Sequence, residues 1–530
     1  MVGNPPFIGG KDIRDRLGSE TAEALWRANP RVPKSADFVM HWWDRAADIL
    51  TREGTRLRRF GFVTTNSITQ VFSRRVIEGW LSSPERGVGP PPQAGVEGVS
   101  QPSSGPCDEA PPSASPPPPR AGEEQERKLH LVLAIPDHPW TRVTKDAAAV
   151  RIAITVAQAG AGPGKLVRIT GERGIDSDAP ELDEEPHYGA INADLSVGTD
   201  VTRVVALKAN EGLCSPGVKL HGAGFIVTPA EAKALGLGTR PGLEKHIRDY
   251  RNGRDLLQRP RGVKVIDLFG LSEAEVMSRF PEVADHVIQN VKPERDGNNR
   301  ATYRNKWWVF GEPRGDQRPA LAGLPRYIAT TETSKHRLFQ FVDGSVLADN
   351  MIVVVASENS EVLGVLSSQI HAEWVLKRGG WLGFGNDNRY SKSLVFDPFP
   401  FPAATPDQSA AIAAVAERLD DTRRAALAED DRLTMTGLYN LVAAIRDGTL
   451  APQDEAKAVR ARARIVAKLH DELDAVVAAA YGWGKEWSKA PLPPAEIVAR
   501  LVALNAERAA EEQAGTVRWL RPDYQIPRFG

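Results

Sequence analysis

Cysteine is almost missing from this chain. Cys107 and Cys214 are the only two in 530 residues, too few for a disulfide framework or a cysteine-bound zinc, and no metal site is expected. No apolar run approaches the roughly 18 residues of a membrane helix, and no stretch has the pattern of a secretory signal. The expectation is a cytoplasmic protein with no membrane partner. A net charge is lacking as well: 67 Lys and Arg face 68 Asp and Glu, for a formal charge of −1. Any affinity for nucleic acid must therefore come from a local patch. Two enzyme classes fall away for want of their motifs. His371-Ala372-Glu373 has no Pro-Cys-x-x-Cys to complete a zinc base deaminase, and there is no Gly-x-Ser-x-Gly elbow of an acyl hydrolase. What remains is 41% hydrophobic, enough for a sizeable core divided over several domains.

Against these absences stands one tetrapeptide, Asn4-Pro5-Pro6-Phe7. A given tetrapeptide with two prolines occurs by chance in roughly one chain of this size in several hundred. Its residue types suit one chemistry. An amino group conjugated to a purine ring is a poor nucleophile, so an enzyme must accept hydrogen bonds from its N–H groups while aiming the nitrogen at an electrophile. Asn4 offers a side-chain carbonyl oxygen. The prolines stiffen the backbone, remove competing N–H donors and push the preceding residues towards extended geometry, leaving the Pro5 carbonyl as a second acceptor. Phe7 offers a flat face on which an extruded base can stack. The alternative is a proline turn closing an N-terminal segment.

The surrounding pattern reads as α/β. Residues 36–50 (ADFVMHWWDRAADIL) have helical periodicity that would bury Phe38, Val39, Trp42, Ala46 and Ile49. A short apolar strand, 60–64, leads into the polar loop Thr65-Asn66-Ser67-Ile68-Thr69-Gln70. Residues 82–127 are dense in Pro, Gly and Ser and read as a disordered insertion. It interrupts the first domain, so its flanks are expected to return to adjacent places in one sheet. LHLVLAI (129–135) reads as a buried strand ending in a Pro136-Asp137-His138-Pro139-Trp140 turn. Gly160 to Lys165 follows a strand-like segment but precedes another, LVRIT, and so reads as a β-hairpin turn, since a phosphate loop must open a helix. Gly383-Phe384-Gly385 reads as a plain loop.

From about residue 201 the composition changes. Residues 286–340 hold ten Lys or Arg against five acids, an excess of +5, interleaved with Tyr303, Trp307, Trp308, Phe310, Tyr327 and Phe339. Such a run is commonly a solvated face, but basic side chains also neutralise phosphates and read base edges. The candidates for DNA contact are Arg304, Lys306, Lys335, His336 and Arg337. Helical spacing recurs at 408–431, 454–481 and 495–515. The proline-rich run 397–402 separates these segments from what precedes them.

The runs VGNPPFIGGK, FVTTNSITQ and AIPDHPW resemble the adenine-specific methyltransferases fused to type II restriction systems, the MmeI-like group. So do NVKPERDGNNRATYRNKWWVFGEP, RYIATTETSKHR, GVLSSQIHAEWV, AAYGW and LVALNAERA. The resemblance covers nearly the whole chain apart from the insertion. It implies an incomplete doubly wound Rossmann-like methyltransferase sheet in residues 1–200, an α+β target-recognition domain in 201–405 and a helical region in 406–530. It implies S-adenosylmethionine as cofactor and double-stranded DNA as partner. Asn4, Pro5, Pro6 and Phe7 become the catalytic residues, with Trp140 packing against the flipped base. In that family the glycine-rich cofactor turn lies upstream of the tetrapeptide, and three residues precede it here. The expectation is a C-terminal portion of such an enzyme, its missing half separately encoded or lost to a truncated or misassigned gene start, or else a DNA-binding specificity subunit or inactive truncated remnant. Its cofactor-binding residues are not identifiable.

Overall fold

The computed structural model describes residues 1–81, 128–140, 151–174, 181–382 and 387–530. The insertion at 82–127 and the Gly383-Phe384-Gly385 loop lie outside the described residues. Two compact units result, Met1–Thr202 and Arg203–Gly530.

The N-terminal unit is built on one mixed sheet. Its elements in chain order are β1 (Val2–Gly3), α1 (Ile13–Leu17), α2 (Ser19–Ala28), α3 (Val39–Leu50), β2 (Arg59–Thr65), α4 (Val71–Glu78), β3 (Leu129–Pro139), β4 (Arg151–Ala159), β5 (Gly164–Arg173) and β6 (Glu181–Gly189). Their spatial order is β1-β2-β4-β3-β5-β6. β1 is parallel to β2, and β4 is antiparallel to both β2 and β3. β1, β2 and β3 therefore all run the same way. Both flanks of the 82–127 segment do return to one place: Leu81 bridges Leu129, and the Leu129 N–H donates to the Trp80 carbonyl at 3.0 Å.

Three local expectations need correction. β4 and β5 do not form a hairpin, because β3 lies between them, and residues 160–163 cross its start instead. Glycine is required at the end of that crossing, since a Cβ on Gly164 would come 2.0 Å from the Leu131 carbonyl oxygen. The Pro136 to Pro139 segment is strand, not turn. A register shift after Ile135 absorbs the prolines, and pairing with β4 resumes at His138 and Pro139. The buried face of α3 is also displaced by one residue. Val39, Met40, Trp43, Ala46, Ala47 and Leu50 are buried, whereas Trp42 is 38% exposed. Helix geometry starts at Val39, and 39, 43, 46 and 50 form the stripe that meets the sheet. Trp43 packs edge-on against Phe60 of β2 and its indole N–H points to Thr155 Oγ1 at 3.4 Å.

In the C-terminal unit Gln340–Asp343, Arg326–Thr331, Ile352–Val355 and Cys214–Pro216 form an antiparallel sheet, in that order. A second four-stranded sheet orders Leu347–Ala348, Ile247–Arg251, Lys264–Ile266 and Ile226–Val227. The helices Pro406–Glu429, Met435–Arg446, Ala463–Ala480 and Pro494–Gln513 share one apolar core with the first sheet, reaching from Leu213 to Tyr524. Met435–Arg446 is a helix that periodicity did not single out. The expected helix 454–481 is broken at Arg462, which has φ 55°. The proline-rich run is held in this core by side-chain amides. Asn210 Nδ2 donates to the carbonyls of Phe396, Asp397 and Phe399, and Asn505 Nδ2 to that of Pro398. Carbonyls that lack a ladder partner are thereby satisfied in a buried setting. Among the described residues no helix is long and apolar enough to cross a membrane.

The packing of α3 makes its two tryptophans unequal. Trp43→Ala should cost about 3–5 kcal/mol in a denaturant titration, while Trp42→Ala should stay within about 1 kcal/mol; equal losses would put the wrong face on the sheet. A second test concerns Asp474, which is buried and accepts the Gln369 N–H at 2.7 Å. Burial raises its pKa to about 7. A folded value above the unfolded one, near 3.8, means that the protonated group favours folding. This contribution is present below pH 4 and is lost as pH rises through 7. Asp474→Asn, which keeps an acceptor without charge, should raise the unfolding temperature at pH 8 and leave it nearly unchanged at pH 4.

Candidate functional site

Because β1, β2 and β3 are parallel, the loops that follow them emerge at one edge of the sheet. Ligands of open α/β sheets bind outside the carboxyl ends of the strands. Asn4-Pro5-Pro6-Phe7 follows β1 directly. Pro5 is buried and Asn4 exposed, and Phe7 is 38% exposed. No hydrogen bond from the described residues occupies the Asn4 side chain. The tetrapeptide thus has a fixed middle with an amide and an aromatic face presented outward. Gly3 before it is close-packed, since a Cβ there would lie 2.9 Å from the Phe62 ring.

A carboxylate that sequence reasoning did not single out ties this loop down. Asp37 Oδ1 accepts the Gly10 N–H at 3.1 Å, and Oδ2 accepts from Thr65 Oγ1 at 3.4 Å and from the Ser67 hydroxyl. The Asp37 N–H in turn donates to Ser73 Oγ at 3.3 Å, and the Phe38 N–H to the Ile8 carbonyl at 2.9 Å. One residue ahead of α3 therefore joins the loop after β1, the loop after β2 and the start of α4. Gly10 must be glycine here, as a Cβ would sit 2.3 Å from the Ser35 carbonyl oxygen. The one available signal in the sequence was an acid two positions before a helix, followed by hydroxyls at the end of the next strand.

The end of β3 joins through a second carboxylate. Asp137, near the end of β3, accepts from Asn66 Nδ2 at 3.4 Å and from Arg151 Nε at 2.5 Å, and Arg151 Nη2 reaches Glu172 Oε1 at 2.7 Å. Burial disfavours the Arg151 charge, but Glu172 and Asp137 outweigh it and hold its pKa above the ordinary value. Trp140 lies at the end of β3 on the same edge, 39% exposed. His138 turns inward on its own strand, its Nδ1 lying 2.7 Å from the Pro139 carbonyl. Phe72, at the start of α4 beside Ser73, is another exposed aromatic of this edge.

Of the two glycine-rich segments the sequence offered for a cofactor turn, one, at 383–385, lies outside the described residues. The glycine-rich segment 160–164 joins two strands and opens no helix.

In the C-terminal unit the basic stretch divides into two groups. Arg295 is buried and donates to the Leu220 and Val309 carbonyls. Arg314 and Arg318 pair with Glu312 and Asp267, and Arg326 with Glu417. Arg337 belongs with these. Its guanidinium donates to Thr330 Oγ1 at 3.1 Å, to the Thr331 carbonyl and to the Asn388 carbonyl at 2.6 Å, over the Tyr390 ring. Arg304 and Lys306 are exposed at the helix Ala301–Asn305 and just after it, with Arg300 exposed beside them. Lys335 Nζ and His336 Nε2 converge on Asn440 Oδ1 at 3.0 and 2.9 Å. Most of the interleaved aromatics are core: Tyr303, Trp307, Phe310, Tyr327 and Phe339 are buried, and Trp308 is half-buried.

Residues 1–80 match the family described as MmeI, DNA-methyltransferase domain, and residues 216–403 match MmeI, target recognition domain. No curated protein matches the chain. Among solved structures it is similar to the Type IIL restriction-modification enzyme MmeI in complex with DNA. The TM-score is 0.65 at 20% identity, over 96% of this chain and 57% of that one. A likeness to the type IIG restriction endonuclease BpuSI has a TM-score of 0.25 at 9% identity, over 91% of this chain and 54% of that one, and carries no argument. The likeness to MmeI shows the fold, and the chain spans a little over half of that enzyme's length. With its methyltransferase loop at the sheet edge and its target-recognition region in the second unit, the chain belongs to the MmeI-like group of restriction-modification proteins.

Proposed function

We propose that this chain holds the target base and reads the DNA site in an adenine-N6 methyltransferase. The observation that carries the reading is the loop after β1, with a free Asn4 amide and an exposed Phe7 on a backbone anchored by Pro5 and by Asp37. Asn4 Oδ1 and the Pro5 carbonyl accept the two N–H groups of an adenine amino group turned out of the duplex. That leaves the nitrogen lone pair directed away from the protein acceptors. Pro6 keeps the bracket extended, Phe7 stacks on the ring, and Trp140 packs from the β3 end. S-adenosylmethionine supplies the methyl group when the assembled system binds it, and its holding is assigned to a part of the methyltransferase other than these loops. Residues 201–405 form the recognition domain and 406–530 brace it. Arg304, Lys306, Lys335 and His336 contact the DNA backbone or base edges, while Arg337 positions the Lys335-His336 segment from beneath. Access to the substrate requires a cytoplasmic location.

In the assembled system Asn4→Ala should lower methylation of a cognate duplex on the order of 100-fold and leave the mobility shift intact; unchanged methylation would refute the role. Calorimetry on the purified chain should show duplex binding without binding of S-adenosylmethionine, and heat from the cofactor alone would reject the division of labour. Asp37→Ala should speed amide exchange at Gly10 and lower methylation without weakening DNA binding. If Gly10 exchange is unaltered, the clamp is not what orders the loop.

A further inference from the structure

One cavity in the C-terminal unit has no part in the reading above. Its volume is about 330 Å³, in the range of sites that take small organic ligands. Val218, Leu321, Leu324 and Val354 give it apolar walls, and three arginines line it, Arg248, Arg314 and Arg318, with no acid among the lining residues. The arginines are not equivalent. Arg318 is matched by both oxygens of Asp267 at 2.7 and 3.0 Å, and Arg314 by Glu312 at 2.8 Å. Arg248 donates only to the carbonyls of Ser345 and Gly344, each at 3.0 Å, and no carboxylate of the described residues pairs with it. Burial, above all, lowers its pKa, and the nearby charge of Asp267 only partly opposes this.

Two further features point to a ligand. Gln317 is 5% exposed and lines the cavity, and its amide nitrogen is taken by the Val354 carbonyl at 3.4 Å. Its side-chain oxygen has no partner among the described residues. Arg314 holds a left-handed backbone, φ 54°, a strained geometry that clusters at binding sites.

We propose that this cavity binds a mononucleotide unit, its phosphate against Arg248, its base between the apolar walls and a base N–H on Gln317 Oε1. An anion would give Arg248 the direct ion pair that it does not make within the described residues, a flat body fits the aliphatic walls, and the free amide oxygen calls for a donor on the ligand. The unit has two sources of the same chemistry, a free nucleotide and a nucleotide of bound DNA. The inference concerns the recognition unit and is independent of methyl transfer.

Isothermal titration of the purified chain with the four deoxynucleoside monophosphates tests it. At least one should bind at millimolar concentration or tighter, and the matching uncharged nucleoside at least about tenfold more weakly, a difference of about 1.4 kcal/mol. Arg248→Gln should abolish that binding. Ala322→Trp, an exposed residue at the cavity, should block it without touching the core, which separates loss of the site from loss of the fold. If duplex binding survives in both variants the occupant is a free nucleotide, and if it falls in both the site serves the DNA. Absence of mononucleotide binding, or binding untouched by both substitutions, would overturn the proposal.

Discussion

Two residues of parallel pairing govern the N-terminal unit. Val2 and Gly3 register against Gly61 and Phe62, and this decides where the chain leaves the sheet and which edge Asn4 to Phe7 faces. Parallel pairing needs a crossover, here α1 to α3, and the crossover brings Asp37 back beside the loop it must hold. A two-residue strand has little stability of its own. The contact of Gly3 with Phe62 and the Asp37 clamp on Gly10, Thr65 and Ser67 supply what the short ladder cannot.

The same economy of polar groups runs through the second unit. Its proline-rich crossing cannot satisfy its carbonyls within a ladder, and Asn210 and Asn505 do so from within the core. Arg423, fully buried, is met by Asp420, the Phe339 carbonyl and the Tyr439 hydroxyl. Buried charges cost less when each donor finds an acceptor. The basic stretch of 286–340 therefore does two jobs. Several of its arginines tie the unit together, which leaves Arg300, Arg304, Lys306 and Lys335 as its outward charge. Half-buried Arg248, which lines the proposed nucleotide cavity, is likewise held by backbone carbonyls alone, as Arg295 is.

Much of the fold was legible in order but less in detail. Strand 60–64 and the helix ending at Leu50 stand where periodicity placed them, since a stripe of apolar residues needs a partner surface whatever that surface is. The phase of α3 was misread because Trp42 and Trp43 are equally apolar in sequence, and only the position of Phe60 and Thr155 selects one. Gly160 to Lys165 resembled a hairpin turn because two strands flank it. A third strand from elsewhere in the chain takes the place between them, and local pattern carries no trace of that. Pro136 and Pro139 argued for a turn, yet a bulge lets the strand continue.

By itself, then, the amino-acid order determined the chemistry on offer: an amide, two prolines and an aromatic ring in a row, hydroxyls at a strand end and a surplus of arginine near residue 300. Residue type and short spacing are written into the chain and need no partner to be read. Tertiary structure alone decided what each group does. Asp37 and Asp137 became clamps because the parallel strands end together, and Arg337 became a brace because backbone carbonyls surround it, whereas Arg304, on a short exposed helix, spends one donor on the Asn298 carbonyl and stays exposed. Those outcomes depend on contacts between residues far apart in sequence, and such contacts exist only once the core has closed.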